Sequence, residues 1–186
     1  MCGLYVSDTV VFENFYSFNK VGCKKPYTNH NFVITHIYSF KTNRARYIAE
    51  IEEYKHLIYI IKFYRKCDIH NAHKYNILTH EYNCTQIVST CIRILVEILN
   101  KNPAASFGFL GSNTINNGRE ELKQKTKRFN IYKTAMENLI GDKVFVHSMD
   151  EVHSTYLMAN RKNEPIEGFL LTAQNMFEEI YPELES

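Results

Sequence analysis

The chain has 186 residues, which is enough for one domain or for a core with short appendages, but not for two independent cores. Its composition, 45% hydrophobic and 23% charged with 7 Gly and 4 Pro, excludes collagen-like, low-complexity and disordered classes. The net charge of +2 is unevenly distributed: residues 1–130 carry 18 Lys and Arg against 10 Asp and Glu, whereas residues 131–186 carry 4 against 10. This polarity indicates either an anionic partner for the basic part or ordinary solvated surfaces.

The five cysteines are odd in number and include no Cys-x-x-Cys pair, which fits neither a disulfide framework nor a zinc ribbon. The N-terminus has no basic stretch followed by a long apolar run, and no segment offers about 18 uninterrupted apolar residues. We therefore predict a cytoplasmic protein with no membrane span. A cluster of thiols and imidazoles matches no zinc-ligand spacing, so we predict no metal site there; its members are Cys67, His70, His73, His80 and Cys84.

The first part of the chain is predicted to be mainly extended. Residues 1–45 are predicted to form an N-terminal arm with one strand, at 32–40, where β-branched and aromatic residues are concentrated. Two strands at 46–54 and 57–66 are predicted to form a hairpin, and the second is apolar on both faces, which is typical of a strand inside a covered sheet. Residues 75–80 are the candidate for a third strand.

Helical periodicity is clearest over residues 84–100, where apolar residues recur every three or four positions. Asn83 followed by Gln86 resembles a capping box at its start. The remaining predicted elements, in chain order, are a buried strand at 105–110, a helix at 126–140, strands at 144–148 and 155–160, and a last helix that starts near Pro165.

Residues 46–186 are therefore predicted to form a single α+β domain, a mixed, mostly antiparallel sheet flanked by helices and including the C-terminal helix. The element order, β-β-β-α-β-α-β-β, resembles the core of the GCN5-related N-acetyltransferase (GNAT) fold, in which antiparallel strands feed a helix that packs beside a splayed central strand. The chain is also similar to bacterial protein families of unassigned activity that carry a strand like residues 105–109 (Ala-Ser-Phe-Gly-Phe), followed by a segment like residues 126–132.

The resemblance implies acetyl-CoA or another acyl-CoA as the cofactor. A tyrosine on the second core helix of the family acts as general acid toward the departing thiolate, and Tyr132 occupies the matching place; the alternative is a core tyrosine. Asn113, just after the central strand, matches family asparagines that meet the pantetheine arm, or is simply a turn residue. The glycine-rich turn that cradles the pyrophosphate corresponds to residues 80–86, which contain no glycine and carry Glu81.

A basic run precedes the second core helix and consists of Arg119, Lys123, Lys125, Lys127 and Arg128. Cations near a helix N-terminus add to the attraction of the helix dipole for phosphate. Lys127 and Arg128 are therefore candidates for binding a cofactor phosphate. The whole segment 119–128 is a candidate for an anionic ligand or a nucleic-acid backbone, or is a solvated loop.

Two carboxylates are candidates for general base chemistry. Glu50 and Glu52 lie two residues apart on a predicted strand and so project from the same face. If that face lines the cleft, one of them is expected to have a raised pKa and to accept a proton from an amine; the alternative is that both face solvent.

Two functional hypotheses from different classes follow. The leading one is a divergent or degenerate acyl-CoA-dependent N-acyltransferase, which the element order and Tyr132 favour. The alternative is a non-enzymatic nucleic-acid-binding or regulatory interaction module that uses the basic segment 119–128, which the absence of glycine in residues 80–86 favours.

Overall fold

The computed structural model describes residues 14–25, 31–77, 83–116 and 119–181. Within these ranges the strands are β1 (Phe18–Lys24), β2 (Phe32–Lys41), β3 (Arg46–Tyr54), β4 (Ile58–Arg65), β5 (Ser106–Leu110), β6 (Ile115–Asn116), β7 (Arg119–Glu120), β8 (Phe145–Asp150) and β9 (Thr155–Asn160). The α-helices are α1 (Cys84–Lys101), α2 (Lys127–Leu139) and α3 (Ile166–Ile180).

Seven of the strands form one mixed sheet in the order β1-β2-β3-β4-β5-β9-β8. All neighbours in this sheet are antiparallel except β4 and β5, which run parallel. Parallel neighbours need a crossover connection, and α1 supplies it between these two strands. Strands β6 and β7 form a separate small hairpin before α2. The predicted α+β class, with a mostly antiparallel sheet and flanking helices, is confirmed.

The helices cover opposite faces of the sheet. Helices α1 and α2 pack in the larger hydrophobic core, together with Tyr59 and Ile61 of β4. Helix α3 packs in the smaller core, together with Ile58 and Ile60 of the same strand. Alternate residues of β4 therefore enter different cores, which is why its sequence is apolar on both faces.

The helix predictions are confirmed to within one or two residues at each end. In α1, ten of 18 residues are buried: the eight apolar residues of the predicted pattern, and also Ser89 and Thr90. The capping-box prediction is wrong, because the side chain of Asn83 makes no capping hydrogen bond to the first turn of α1. None of the helices in the described ranges is long and apolar enough to cross a membrane.

Residues 1–45 hold one strand more than predicted. They contribute β1 as well as β2, and β1 pairs with β2 although six of its seven residues are exposed. Because β2 pairs with β3, strands from both sides of residue 45 belong to one sheet. Of the strand predicted at 75–80, residues 75 and 76 lie in turns and Ile77 forms a single β-bridge; residues 78–80 fall outside the described ranges.

Candidate active site

The parallel strands β4 and β5 separate before either of them ends. They pair over only three residues each, 58–60 and 106–108. Beyond this stretch β4 remains paired with β3, and β5 remains paired with β9. Their carboxyl ends therefore diverge, and a cavity of about 280 Å³ lies at the gap. The carboxyl ends of parallel strands, at a point where the connections change direction, are a common ligand-binding position in open sheets.

The lining of this cavity is aromatic and basic. It comes from β4 and the segment that follows it, from the end of β5 and the segment that follows it, from α2 and the loop before it, from the β8–β9 turn and from the residue after α3. The lining residues are Ile61, Lys62, Phe63, Tyr75, Asn76, Leu110, Gly111, Ser112, Asn113, Lys123, Arg128, Tyr132, His153 and Tyr181. Among these described residues there are three Lys or Arg side chains and no Asp or Glu. Such a lining favours a ligand that carries negative charge.

Tyr132 reaches the cavity from the buried face of α2. Its ring packs against Phe109 and Phe63, with centroid distances of 5.2 and 6.4 Å. No residue of the described ranges hydrogen-bonds to its hydroxyl. Burial raises the pKa of the Tyr132 phenol, although the charge of Arg128 partly opposes this effect. The phenol is therefore protonated at neutral pH and is able to donate a hydrogen bond to a ligand.

Arg128 and Asn113 line the same cavity and hold the segment that follows β4. The two side chains Arg128 and Tyr132 are four residues apart and so project from one face of α2. The Arg128 guanidinium donates to the carbonyl of Ile77 at 2.9 Å. The Asn76 side-chain amide donates to both the carbonyl and the side-chain oxygen of Asn113, at 2.9 and 3.0 Å. Three of the predicted site residues are thus brought together.

The start of α2 is capped by the chain's own side chains. The hydroxyl of Thr126 accepts from the N–H of Phe129 at 3.2 Å. The carboxylate of Glu121 accepts from the N–H of Lys127 at 2.9 Å and from the N–H of Thr114 at 3.0 Å. Burial opposes ionisation, but these hydrogen bonds lower the pKa of Glu121 overall. An internal anion therefore occupies part of the position where the sequence predicted a bound phosphate.

The basic run before α2 does not act as one surface. Lys123 lines the cavity, whereas Lys125 forms an ion pair with Glu151 at 2.7 Å. Lys127 is exposed and is not part of the cavity lining. The side chain of Arg119 is outside the described part of the chain. The cations of segment 119–128 thus point to different partners, and the structure does not place Lys127 beside the cavity.

Gly111 is the residue through which the segment after β5 contacts α2. A Cβ at this position would lie 2.7 Å from the Cβ of Phe129 and 2.7 Å from the hydroxyl oxygen of Thr126. We expect Gly111→Ala to lower the free energy of unfolding by about 2 kcal/mol, since α2 must shift to relieve the overlap. Urea denaturation measures this change. Gly22→Ala is the control, because nothing lies within 4 Å of its added Cβ; equal losses for the two variants would contradict the prediction.

Glu50 is buried on the α3 face of β3, outside the cavity lining. Its carboxylate accepts hydrogen bonds from the phenols of Tyr75 and Tyr64 and from the ammonium of Lys24, the last two at 3.2 Å. Burial opposes ionisation, but the Tyr75 hydrogen bond and the charges of Lys74 and Lys24 outweigh it and lower the pKa of Glu50. The predicted raised pKa is therefore wrong for Glu50.

Glu52 shares that face, as its spacing from Glu50 predicted, and is also absent from the cavity lining. Its carboxylate pairs with the ammonium of Lys62 at 2.7 Å and accepts from the phenols of Tyr54 and Tyr181, at 2.9 and 3.3 Å. The ammonium of Lys62 in turn lies 5.2 Å from the centre of the Tyr181 ring. Glu52 therefore contributes to the cavity only indirectly, by pairing with the lining residue Lys62. Neither Glu50 nor Glu52 is itself part of the cavity lining.

The cavity lining also includes polar residues that were not predicted from the sequence, among them Lys62, His153 and Tyr181. Lys62 lies within an otherwise apolar strand, and Tyr181 follows the last helix, so nothing near them in sequence indicated a site. His153 had a local signal, because Asp150 lies three residues earlier in the same turn. The two side chains meet at 2.5 Å, and the hydrogen bonds from His153 and Val152 outweigh burial to lower the pKa of Asp150.

In the described ranges no group of three or more His, Cys, Asp or Glu side chains is arranged to hold a metal ion. His80, one member of the thiol and imidazole cluster, lies outside these ranges.

The chain was compared with protein-family models, with curated protein sequences and with solved structures. None of the three comparisons gives a match. The α+β fold and the geometry of its cavity therefore carry the functional argument without support from a relative.

Proposed function

We propose that this chain is an acyl-CoA-dependent N-acyltransferase with a GNAT-like core. The observation that carries the proposal is the position of Tyr132. Its side chain lines a cavity between two diverging parallel strands, and its hydroxyl has no hydrogen-bond partner among the described residues. Arg128 and Asn113 belong to the same lining.

The strand arrangement supports the GNAT-like core. The resemblance implies antiparallel strands that feed a helix and then a splayed central strand. In the chain, β2, β3 and β4 are antiparallel, α1 follows, and β5 runs parallel to β4 but pairs with only three of its residues. The order β-β-β-α-β-α-β-β is obtained when the chain is read from β2 rather than from residue 46 and the small β6–β7 hairpin is set aside, and this order supports the proposal.

The cavity fits the thioester end of an acyl-CoA better than the whole molecule. Its volume of about 280 Å³ lies near the lower end of the range for small-molecule sites, so the nucleotide end of the molecule would lie outside it. The absence of carboxylates from its described lining suits a substrate that carries phosphates and releases a thiolate. At the start of α1 the first N–H groups have no cap from the Asn83 side chain, which suits a diphosphate.

The proposed acyl transfer requires one proton transfer from this chain. An amine attacks the thioester carbonyl, the carbon–sulfur bond breaks, and the sulfur leaves with the electron pair. In the proposed step the Tyr132 phenol, protonated at neutral pH, gives its proton to that sulfur, and the proton lost by the amine restores the phenol. Asn113 and Arg128 contribute positioning and positive charge. Glu50 and Glu52 have no role in this scheme, because their oxygens are bonded to tyrosines and lysines.

Calorimetric titration with acetyl-CoA and with free coenzyme A tests the proposal. We expect micromolar binding by the wild-type protein and at least a tenfold loss for Arg128→Ala, since hydrogen bonds to charged groups contribute about 1.5–3 kcal/mol. Lys127→Ala is the matched control, because Lys127 is the neighbouring cation and does not line the cavity. It is expected to bind as the wild type does.

Absence of binding at millimolar coenzyme would overturn the acyltransferase proposal. The alternative, a nucleic-acid-binding module, would then be tested by titration with single-stranded RNA and DNA. Equal losses for Arg128→Ala and Lys127→Ala would also count against the cavity, because they would indicate attraction by general positive charge rather than by a residue in its lining.

A further inference from the structure

A second cavity, which we call the α3 cavity, lies on the opposite face of the sheet from α1 and α2. It has a volume of about 490 Å³ and is enclosed by α3 and by strands β5, β8 and β9. Leu110, at the end of β5, lines both this cavity and the first one. The two cavities therefore share a lining residue at the end of one strand.

The α3 cavity has an apolar wall that is partly open to solvent. Leu170 and Phe177 of α3 face Leu157 of β9 across it. At its rim Leu171 is 59% exposed and Met149 is 38% exposed. Large exposed apolar side chains gathered around a concave site indicate a surface that a ligand covers.

The charge of this lining is opposite to that of the first cavity. Three carboxylates, Asp150, Glu167 and Glu178, line the α3 cavity, and no Lys, Arg or His is among its described lining residues. Asp150 is already bonded to His153. Glu167 and Glu178 form no ion pair within the described ranges. Two carboxylates beside an apolar wall thus have no cationic partner among the described residues.

The sequence of α3 explains this arrangement. Glu167 and Glu178 are eleven residues apart, which is close to three full helical turns, so they lie on one face with the leucines between them. The amide of Gln174 donates to one oxygen of Glu178 at 2.8 Å, which helps to fix that carboxylate at the cavity. The helix therefore presents a stripe that is apolar in the middle and negative at its ends.

We propose that the α3 cavity binds an organic ammonium ion that carries an apolar chain or ring. The ammonium group pairs with Glu167 or Glu178, and the apolar body covers Leu170, Leu171 and Met149. Charge complementarity selects this ligand class over neutral apolar compounds and over anions. The binding itself is independent of acyl transfer, whereas use of the bound amine as the acyl acceptor rests on the proposed function.

The first test is a titration of the full chain with hexylammonium chloride in the absence of coenzyme A, followed by amide chemical shifts. We expect saturable shifts confined to α3, β8, β9 and the end of β5. Butylammonium is expected to bind on the order of tenfold more weakly, because it buries two fewer methylene groups. The neutral analogue 1-hexanol is expected to bind about fivefold more weakly, because it lacks the charge.

Charge-neutralising variants test whether Glu167 and Glu178, rather than the overall negative charge of the helix, bind the ammonium group. The double variant Glu167→Gln with Glu178→Gln is expected to bind hexylammonium about fivefold more weakly and to bind 1-hexanol as the wild type does. Glu179→Gln is the control, because Glu179 lies on the same helix but bonds to Asn31 at 2.9 Å and does not line the cavity. It is expected to leave both affinities unchanged.

Three results would overturn this inference: no shifts with probe at about 10 mM, shifts located elsewhere in the chain, or equal affinity for hexylammonium and 1-hexanol. Coenzyme A is titrated separately into the wild type and the double variant, and the two affinities are expected to agree. Failure of the acyltransferase proposal would appear in that second titration, whereas failure of the ammonium site would appear in the first.

Discussion

Replacement of Tyr132 by phenylalanine is expected to lower the rate of acyl transfer by about a hundredfold to ten-thousandfold, the range for loss of a general acid. The reason is that the Tyr132 side chain lines the cavity, and its hydroxyl carries its proton at neutral pH and bonds to no described residue. The free energy of unfolding and the affinity for coenzyme A are expected to change little, because the ring contacts with Phe109 and Phe63 remain. The rate is measured as release of free thiol from acetyl-CoA with an amine acceptor.

Tyr59→Phe is the matched control for this variant. Tyr59 is also buried in the larger core, but its hydroxyl accepts a hydrogen bond from the side chain of Asn102 at 2.7 Å and lies outside the cavity lining. This control is expected to lose about 1 kcal/mol of stability and to retain the rate. Full activity in Tyr132→Phe would show that the phenol is not the general acid, even if coenzyme A still binds.

The second large effect is expected at Glu50. Glu50→Ala is predicted to lower the free energy of unfolding by about 3 kcal/mol, because the buried phenol of Tyr64 and the half-buried phenol of Tyr75 lose their acceptor. The exposed ammonium of Lys24 loses its ion pair as well, which adds little. Urea denaturation at neutral pH measures the loss. Glu137→Gln, at an exposed position of α2, is expected to change stability by less than about 0.5 kcal/mol.

The pH dependence of this effect has a definite direction. The folded state lowers the pKa of Glu50 below its ordinary value of 4.5, so the folded state favours the ionised carboxylate. The stabilisation is therefore complete above about pH 4.5 and is lost as the pH falls through the lower, folded-state pKa. Glutamine does not titrate, so the stability difference between wild type and Glu50→Gln is expected to shrink below pH 4.5. A difference that stays constant down to pH 3 would contradict the lowered pKa.

Periodicity predicted the helices and the central strands because burial on one or two faces leaves a pattern in the sequence. Strand β1 leaves no such pattern, since it lies at the sheet edge and six of its seven residues are exposed. The strand predicted at 75–80 rested on β-branched and aromatic residues, but Tyr75 serves a tertiary role instead. Its phenol bonds to Glu50, and its backbone lies in a turn. Composition alone does not distinguish that role from strand pairing.

The site was partly predictable. Asn113 and Tyr132 were predicted from the resemblance to an acyltransferase fold, and Arg128 from the basic run that leads into α2. The fold brings all three to one cavity. Lys62, His153 and Tyr181 come from three distant elements, and only the tertiary fold brings them to the cavity. For Glu50 and Glu52 the spacing predicted the shared face but not the tyrosines and lysines that occupy their oxygens.

The short pairing between β4 and β5 has a mechanical consequence. The sheet consists of two antiparallel blocks, β1 to β4 and β5 with β9 and β8, and only three residue pairs join them. A small rotation of one block against the other would bend the sheet at these three residue pairs and widen the gap, without breaking the hydrogen-bond ladders inside either block. The three pairs join segments far apart in the chain, so their formation during folding has a high entropic cost. A molecule bound across the gap would contact both blocks and would therefore oppose this rotation.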